Sequence, residues 1–249
     1  MNLRDLTAYL DDYLAIQDVH DYPDAHNGLQ VDGPDRVARI ALAVDACAAT
    51  IEKAVEERAD LLLVHHGVFW GWKPPITGPV YRRLAALIRG NLALYACHLP
   101  LDMHPEVGNN PVLARTLGLT VGGSFGDDHA PIGVWADVRL PREELVRRLA
   151  GALGVTPRVI PTGPEALRRV AVVTGGAGDW VGRAHAAGCD TLVTGEGPHH
   201  TYFDAEELGV NLVYAGHYAT ETVGVRALGD HLRAQFGLET VFLDHPTGL

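Results

Sequence analysis

The sequence predicts an α/β fold made of two similar lobes related by internal duplication. Short apolar runs, typical of buried strands, alternate along the chain with segments of helical period. This alternation indicates parallel sheets covered by helices. The second half of the chain also repeats the pattern of the first. With 249 residues, of which 47% are hydrophobic, the chain can bury a sizeable core in one large domain or two small ones.

The first half of the chain begins with an amphipathic helix, predicted from leucines at helical spacing in residues 1–14. Three apolar strands follow, and helices connect them. The predicted elements are strand 37–44, helix 48–59, strand 60–64, helix 78–89, strand 91–96 and helix 109–117. Because parallel strands need crossover connections, this order predicts right-handed βαβ units.

A segment rich in Gly, Asp and Pro, residues 120–135, predicts a linker or long loop between the halves. It divides the chain into an N-terminal lobe, 1–122, and a C-terminal lobe, 123–249, with no inserted third domain. The alternation then resumes. The predicted elements are strand 134–140, helix 142–153, strand 170–174, helix 179–187, strand 191–194, helix 198–208, strand 211–215, helix 217–236 and strand 239–243.

The internal repeat aligns residues 39–67 with residues 169–197 without a gap, strand on strand and helix on helix. A second alignment, of residues 91–102 with residues 211–221 and one residue of slack in the strand, pairs histidine with histidine and acid with acid at the end of the third strand: His98 with His217, and Asp102 with Glu221. A chance match between two βαβ patterns is the alternative. The shared spacing of histidine and acid favours duplication, so two similar lobes are expected to face each other across a cleft.

Histidine and acidic residues gather where the predicted strands end. In parallel sheets, ligands bind beyond the carboxyl ends of the strands. The strand-end residues are His65, His66, His98 and Asp102 in the first lobe, and Glu196, His199, His200, His217 and Glu221 in the second. Any one of them alone would be an ordinary core or surface residue. Their convergence on equivalent strand ends predicts a metal site in the cleft between the lobes.

The spacing of these residues suits two metal ions. His217 and Glu221, four residues apart at a helix start, project from one face of the helix. His65 and His66 alternate in direction on an extended segment, so they would serve two ions if the chain turns at Gly67. A carboxylate from Glu221 would then bridge the pair. Imidazole and carboxylate ligands suit Zn, Fe, Mn or Ni rather than Ca, without distinguishing among the four.

Four strand-end residues are candidates for supporting or catalytic roles: His98, Glu196, His199 and His200. A metal-bound imidazole needs its other nitrogen oriented, which a nearby carboxylate can do. His199 or His200 could act as a general acid or base, or could be a solvent-facing helix residue.

The roles of three neighbouring features stay open. The glycine-rich turn 174–180 could cradle a phosphate or be an ordinary βα turn. The aromatic residues beside the His pair, Phe69, Trp70 and Trp72, could stack a base, or could cover the site or pack an interface. Asn109 and Asn110 could simply cap the following helix.

Five segments resemble the Nif-three-like dinuclear-metal-centre family, whose members are often called GTP cyclohydrolase 1 type 2 homologues. They are HNGLQVDG (26–33), LLLVHHGVFWG (61–71), YACHLPLDMHPEVGNN (95–110), TGEGPHH (194–200) and GHYATE (216–221). The resemblance implies metal ligands at His65, His66, Asp102, His217 and Glu221, with Glu221 shared between the ions. Many members have His-His-Pro where this chain has His-His-Gly, and longer members carry an inserted domain that this chain has no room for.

The resemblance also implies an activity and an assembly. The activity is that of a metal-dependent hydrolase of the cyclohydrolase type, and phosphoester hydrolysis is an equally physical use of two ions. The alternative is a non-catalytic metal-binding protein, metallochaperone or regulator. The assembly is a toroidal homohexamer, either a trimer of dimers or a dimer of trimers.

Composition limits the partners. The net charge of −11 and the scattered positions of the 20 basic residues argue against nucleic acid and membrane surfaces. Three well-separated cysteines are typical of free thiols in a reducing compartment, so we expect a cytoplasmic protein. A small-molecule substrate, with a nucleotide as one candidate, is the expected partner besides further copies of the chain.

Overall fold

The computed structural model describes residues 1–70, 75–127 and 130–249, which form two compact units. The first unit consists of Met1–Val107 and Gly224–His245, and the second of Gly108–Val223 and Pro246–Leu249. The helices and strands of the first unit are α1 (Leu3–Tyr13), β1 (Gly28–Val31), β2 (Arg39–Asp45), α2 (Ala48–Glu56), β3 (Leu61–His66), α3 (Gly78–Arg89), β4 (Ala93–Ala96), α4 (Leu99–Met103) and β11 (Glu239–Phe242).

The second unit contains α5 (Asn109–Thr116), β5 (Gly123–Asp127), β6 (Ala130–Pro141), α6 (Arg142–Leu153), β7 (Arg158–Pro161), β8 (Ala166–Val172), a 3-10 helix (Gly178–Trp180), α7 (Val181–Ala186), β9 (Thr191–Thr194), α8 (Thr201–Leu208) and β10 (Asn211–Tyr214). The long helix α9 (His217–Phe236) begins in this unit and ends in the first. No helix in the described part of the chain is both long and apolar enough to cross a membrane.

The two units do not follow the expected division into 1–122 and 123–249. Helix α5, predicted in the first lobe, buries Leu113 and Ala114 in the core of the second unit. The later turns of α9 bury Leu228 in the core of the first unit, and β11 pairs there with β2. Apolar contacts made far along the chain therefore decide the membership of each unit.

The first sheet has four adjacent parallel strands, and the second sheet has three. The strand order is β1–β4–β3–β2–β11 in the first sheet and β5–β6–β8–β9–β10–β7 in the second. Strands β2, β3, β4 and β11 are parallel, as are β8, β9 and β10, whereas β1, β5, β6 and β7 add antiparallel pairs. The sheets are therefore mixed rather than wholly parallel.

Helices cover both faces of each sheet. In β2, Ile40 and Leu42 pack on the side of α1 and α9, while Ala41 and Ala43 pack on the side of α2 and α3. The second sheet is covered by α5 and α6 on one side and by α7 and α8 on the other. Because successive strand residues point to opposite faces, a continuous apolar run is needed to fill both layers.

The predicted linker at 120–135 is wrong for its described residues, which include β5 and the first part of β6. The glycines there make room for aromatic rings rather than for a flexible loop. A Cβ at Gly122 or Gly123 would overlap the Trp135 ring, and one at Gly133 would overlap the Phe125 ring. Composition alone does not separate a glycine under a ring from a glycine in a turn. Three short elements were also not predicted from the sequence: β1, α4 and β7.

The internal repeat is visible in the hydrogen bonds of two equivalent aspartates. Asp60 Oδ2 accepts from the amides of Ala38 and Arg39, at 2.8 and 3.0 Å. Asp190 Oδ2 accepts from the amides of Arg168 and Arg169, at 2.8 and 3.4 Å. Each aspartate directly precedes one strand and ties it, in the same way, to backbone amides in or next to the parallel neighbour.

Replacing Asp60 by Ala is expected to lower the free energy of unfolding by about 1–2 kcal/mol, because two strand amides lose their acceptor. Asp190→Ala is expected to have an effect of similar size for the same reason. Asp60→Asn retains an acceptor oxygen and is the control, with a smaller loss. Urea denaturation measures all three, and an Asp60→Ala variant as stable as the wild type would contradict the shared role.

Candidate metal centre

The first unit brings three imidazoles together at the ends of neighbouring strands. His65 and His66 end β3, and His98 lies two residues beyond the parallel strand β4. The ring centroids are 4.6 Å apart for His65 and His66, 5.0 Å for His65 and His98, and 5.6 Å for His66 and His98. One ring nitrogen from each residue lies within 4.8 Å of the other two. Such a triad of nitrogens fits a divalent transition metal.

Each of these rings is oriented through its Nδ1 atom. His65 Nδ1 lies 2.9 Å from the backbone oxygen of Cys97. His66 Nδ1 lies 2.8 Å from Asp45 Oδ1, and His98 Nδ1 lies 2.9 Å from Asp21 Oδ1. A carbonyl or carboxylate oxygen can only accept, so the proton belongs on Nδ1 and Nε2 is left as the metal-binding nitrogen.

Asp102 supplies the carboxylate that the sequence predicts beside these rings. It lies in α4 and is buried, with Oδ1 3.6 Å from His65 Nε2. A buried carboxylate held close to an imidazole nitrogen is costly unless a positive charge compensates it. The pair therefore fits a shared cation.

Two of the partners that orient the imidazoles, Asp45 and Asp21, were not predicted from the sequence. Asp45 ends β2 directly beside His66 in the parallel register, so its position at a third strand end could have indicated it. Asp21 lies in the loop before β1, where no periodic pattern points to it. Asn27 and the amide of Leu99 donate to Asp21 Oδ2, at 2.9 and 3.0 Å.

The electrostatics of Asp21 follow from this burial and these bonds. Burial raises the pKa of Asp21, but the hydrogen bond and charge of His98 and the bond from Asn27 outweigh it, so the pKa lies below its usual range. The carboxylate is therefore ionised at neutral pH and can hold the His98 ring in one orientation.

Gly67, which follows His65 and His66, makes room for a neighbouring side chain rather than for the predicted turn. A Cβ at Gly67 would overlap the side chain of Gln30. Gln30 Oε1 accepts from the amides of Val68 and Phe69, at 2.8 and 3.2 Å. The missing side chain thus lets Gln30 fix the segment that leaves β3.

The aromatic residues beside the His pair are only partly described. Trp70 meets His98 edge to face with centroids 4.9 Å apart and lies 5.9 Å from the ring of His66. This contact supports a covering role for Trp70. Trp72, which the sequence also suggested, lies outside the described residues.

The second unit has a histidine and a glutamate of its own on the first turns of α9. His217 Nε2 lies 3.3 Å from Glu221 Oε2, one helical turn away, as the spacing predicted. His217 Nδ1 lies 2.7 Å from Glu196 Oε1, so Glu196 orients this ring as Asp45 orients His66. Glu221 is buried, whereas Glu196 is exposed.

The charges around His217 favour a positive group. The hydrogen bond with Glu221 raises the pKa of His217 to about 9; burial opposes this shift, and the charge of Glu221 and the bond with Glu196 add to it. A position that holds a proton so firmly also attracts a metal cation, which must compete with that proton for Nε2.

His199 and His200 lie on the surface just before α8. His200 Nε2 is 4.0 Å from Asp204 Oδ2, and the His199 ring meets the edge of Phe203. Both residues are exposed. A role for either in acid or base catalysis stays a prediction.

The glycine-rich turn after β8 directs its amides inward. The donors and acceptors are Thr174 N to Asn110 Oδ1 at 2.7 Å, Gly175 N to Thr220 Oγ1 at 3.0 Å, Ala177 N to Thr194 Oγ1 at 3.2 Å, and Gly178 N to Glu196 O at 3.0 Å. These amides are engaged within the unit, so this arrangement does not support the phosphate-binding interpretation.

Fold and site together define a two-unit α/β protein with imidazoles and carboxylates at the ends of parallel strands. The family model described as Duf34/NIF3 (NGG1p interacting factor 3) matches residues 1–248. The chain therefore belongs to the Duf34/NIF3 family.

Individual relatives cover the full length of the chain. A protein of Halobacterium salinarum named GTP cyclohydrolase 1 type 2 homolog is 51% identical, with 100% of both chains covered. A solved structure described as protein ybgI, of unknown function, has a TM-score of 0.94 at 38% identity, covering 100% of both chains. The crystal structure of TTHA1606 from Thermus thermophilus has a TM-score of 0.89 at 45% identity, again covering 100% of both.

Proposed function

We propose that the protein binds two divalent transition-metal ions per chain and uses them to hydrolyse a small molecule. The proposed ligands are His65, His66, Asp102, His217 and Glu221. Zn, Fe, Mn and Ni all suit this set of imidazoles and carboxylates. The sharing of both ions by Glu221 and the homohexameric assembly stay predictions from the sequence.

The observation that carries the proposal is the common orientation of the histidine ligands. In His65, His66 and His217, an acceptor oxygen holds Nδ1 and leaves Nε2 for a metal ion. Metal-binding histidines in proteins almost always have such a partner on the other nitrogen. In His65 and His217, Nε2 also lies near a buried carboxylate.

A bound divalent ion lowers the pKa of water and polarises the substrate, which is the chemistry that hydrolysis at neutral pH needs. The chain's own groups set the conditions for it. Asp45 and Glu196 hold the protons on Nδ1, and Trp70 covers the ring of His98. The relatives' name suggests a nucleotide such as GTP as the substrate class, and phosphoesters are the second class to test.

The experiment measures metal content first and turnover second. Elemental analysis of protein loaded with Mn or Zn is expected to give two ions per chain. The turnover of nucleotides including GTP, of phosphoesters and of cyclic amides by the metal-loaded protein is then measured, with Glu221→Ala as the inactive control. Turnover that the control lacks supports a hydrolase. Fully loaded protein that converts none of these compounds would contradict the hydrolase and leave a metal-binding or regulatory protein.

Asp45→Ala is expected to weaken metal binding by about 10–100-fold, because the His66 ring loses the partner that orients it. The Asp45→Asn variant retains an acceptor oxygen and is expected to bind nearly as well as the wild type. Competition with a chromophoric chelator measures both affinities. Equal affinity of Asp45→Ala and wild type would show that His66 does not depend on this carboxylate.

A further inference from the structure

Gly175 lies directly against the carboxylate of Glu221. Its backbone is left-handed, with φ +70°, and a Cβ built on it would overlap Glu221 Oε1. The same Cβ would lie 3.4 Å from His217 Nε2. The overlapping atom is the end of a flexible side chain, so a substitution here would displace the carboxylate rather than the backbone.

The backbone of Gly175 is held on both sides. Its amide donates to the hydroxyl of Thr220 at 3.0 Å, and Thr220 is the buried neighbour of Glu221 in the first turns of α9. Its carbonyl accepts from the amides of Gly195 and Glu196, at 2.9 and 3.1 Å, and from the Thr194 hydroxyl at 3.1 Å. Gly175 therefore cannot move away from Glu221 without breaking several buried hydrogen bonds.

Gly195, which lies beside Gly175 in the fold, allows Gly175 to approach Glu221 this closely. A Cβ at Gly195 would lie 2.6 Å from the carbonyl oxygen of Gly175 and 2.6 Å from His217 Cα. The missing side chain at Gly195 thus brings the turn after β8 up to the start of α9. The two glycines together leave a surface without side chains beneath His217 and Glu221.

We propose that Gly175 is a positioning residue for Glu221. The Cα of Gly175, held in place through Thr220, sets the position of the Glu221 carboxylate. Any larger residue at position 175 displaces that carboxylate. The inference depends on the proposed function, in which Glu221 is a metal ligand. If Gly175 were needed only for its left-handed backbone, a larger residue there would strain the backbone without displacing the carboxylate of Glu221.

The test compares two glycines with the same backbone strain. Gly209 ends α8 with φ +65°, and a Cβ there would meet nothing within 4 Å. Gly175→Ala and Gly209→Ala are both expected to fold, as judged by circular dichroism. Only Gly175→Ala is expected to bind Zn or Mn at least tenfold more weakly than the wild type. Wild-type affinity in Gly175→Ala, or an equal loss in Gly209→Ala, would overturn the proposal.

A second pair of variants tests the same role if Gly175→Ala fails to fold. Thr220→Val removes the hydroxyl that holds the Gly175 amide, and Thr220→Ser keeps it. Weaker metal binding in Thr220→Val alone supports the proposal, and equal binding in both variants overturns it.

A rescue tests the steric cause directly. Glu221→Asp shortens the side chain by one methylene group and withdraws the carboxylate from position 175. The double variant Gly175→Ala/Glu221→Asp is expected to bind metal more tightly than Gly175→Ala alone. A double variant that binds no better than Gly175→Ala would overturn the steric account.

The outcomes separate this inference from the proposed function. If the wild type binds two ions, Glu221→Ala binds none and Gly175→Ala binds both with wild-type affinity, only the role of Gly175 is lost. If the wild type binds no metal at all, the proposed function fails and the inference fails with it.

Discussion

Replacing Glu221 by Ala is expected to remove both metal ions. Glu221 is the carboxylate expected to be shared, and its buried side chain lies 3.3 Å from His217 Nε2. If two ions share Glu221, its loss would remove one ligand from each of them, and the repulsion between the two cations would no longer be offset by this negative charge. Elemental analysis after gel filtration is expected to fall from two ions per chain to none.

Glu207→Ala is the matched control, because Glu207 is an exposed glutamate on α8. It is expected to retain full metal content. A Glu221→Ala variant that keeps one ion would show that Glu221 binds a single metal. One that keeps two would remove Glu221 from the ligand set.

Replacing Asn110 by Ala is expected to lower the free energy of unfolding by about 2–4 kcal/mol, because two buried hydrogen bonds are lost together. Asn110 is fully buried. Its Nδ2 donates to the backbone oxygen of Ile132 at 2.7 Å, and its Oδ1 accepts from the amide of Thr174 at 2.7 Å. The side chain therefore joins β6 to the residues that follow β8, rather than capping α5.

The size of the effect separates these two roles. Loss of a helix cap costs about 1 kcal/mol. Thr116→Ala, at the exposed end of the same helix, is the control and is expected to change stability by less than about 0.5 kcal/mol. Urea denaturation with hydrogen exchange of the second unit measures both variants. A loss below about 1 kcal/mol in Asn110→Ala would favour the capping role.

Much of the fold could be predicted from local patterns. The helices 78–89, 142–153 and 217–236 and the strand 191–194 have the predicted bounds. Their apolar residues recur with a period that belongs to a single element, so no distant contact is needed to recognise them. The internal repeat was visible in the sequence for the same reason. In the structure, the equivalent hydrogen bonds of Asp60 and Asp190 show the same repeat.

The unpredicted strands β1, β5 and β7 depend on their partners. Each is short, lies at the edge of a sheet and pairs with a single neighbour; β1 and β7 pair with strands from distant parts of the chain, whereas β5 pairs with β6, which follows it directly. In β5 and β6 the glycines gave the composition of a loop, although aromatic rings pack over them. The propensity of a strand to form depends on its packing partners, which a local window does not contain.

By itself, the sequence determined the two α/β repeats and the residue types that gather at their strand ends. Chain order and periodicity are enough to locate a strand end, and the chemistry of imidazole and carboxylate is enough to indicate a cation. The tertiary structure alone decided which groups hold those residues in place: Asp21 and Asp45 on two imidazoles, and Gly175 against Glu221. These contacts join segments that are tens of residues apart and follow no period, so only the folded chain brings them together.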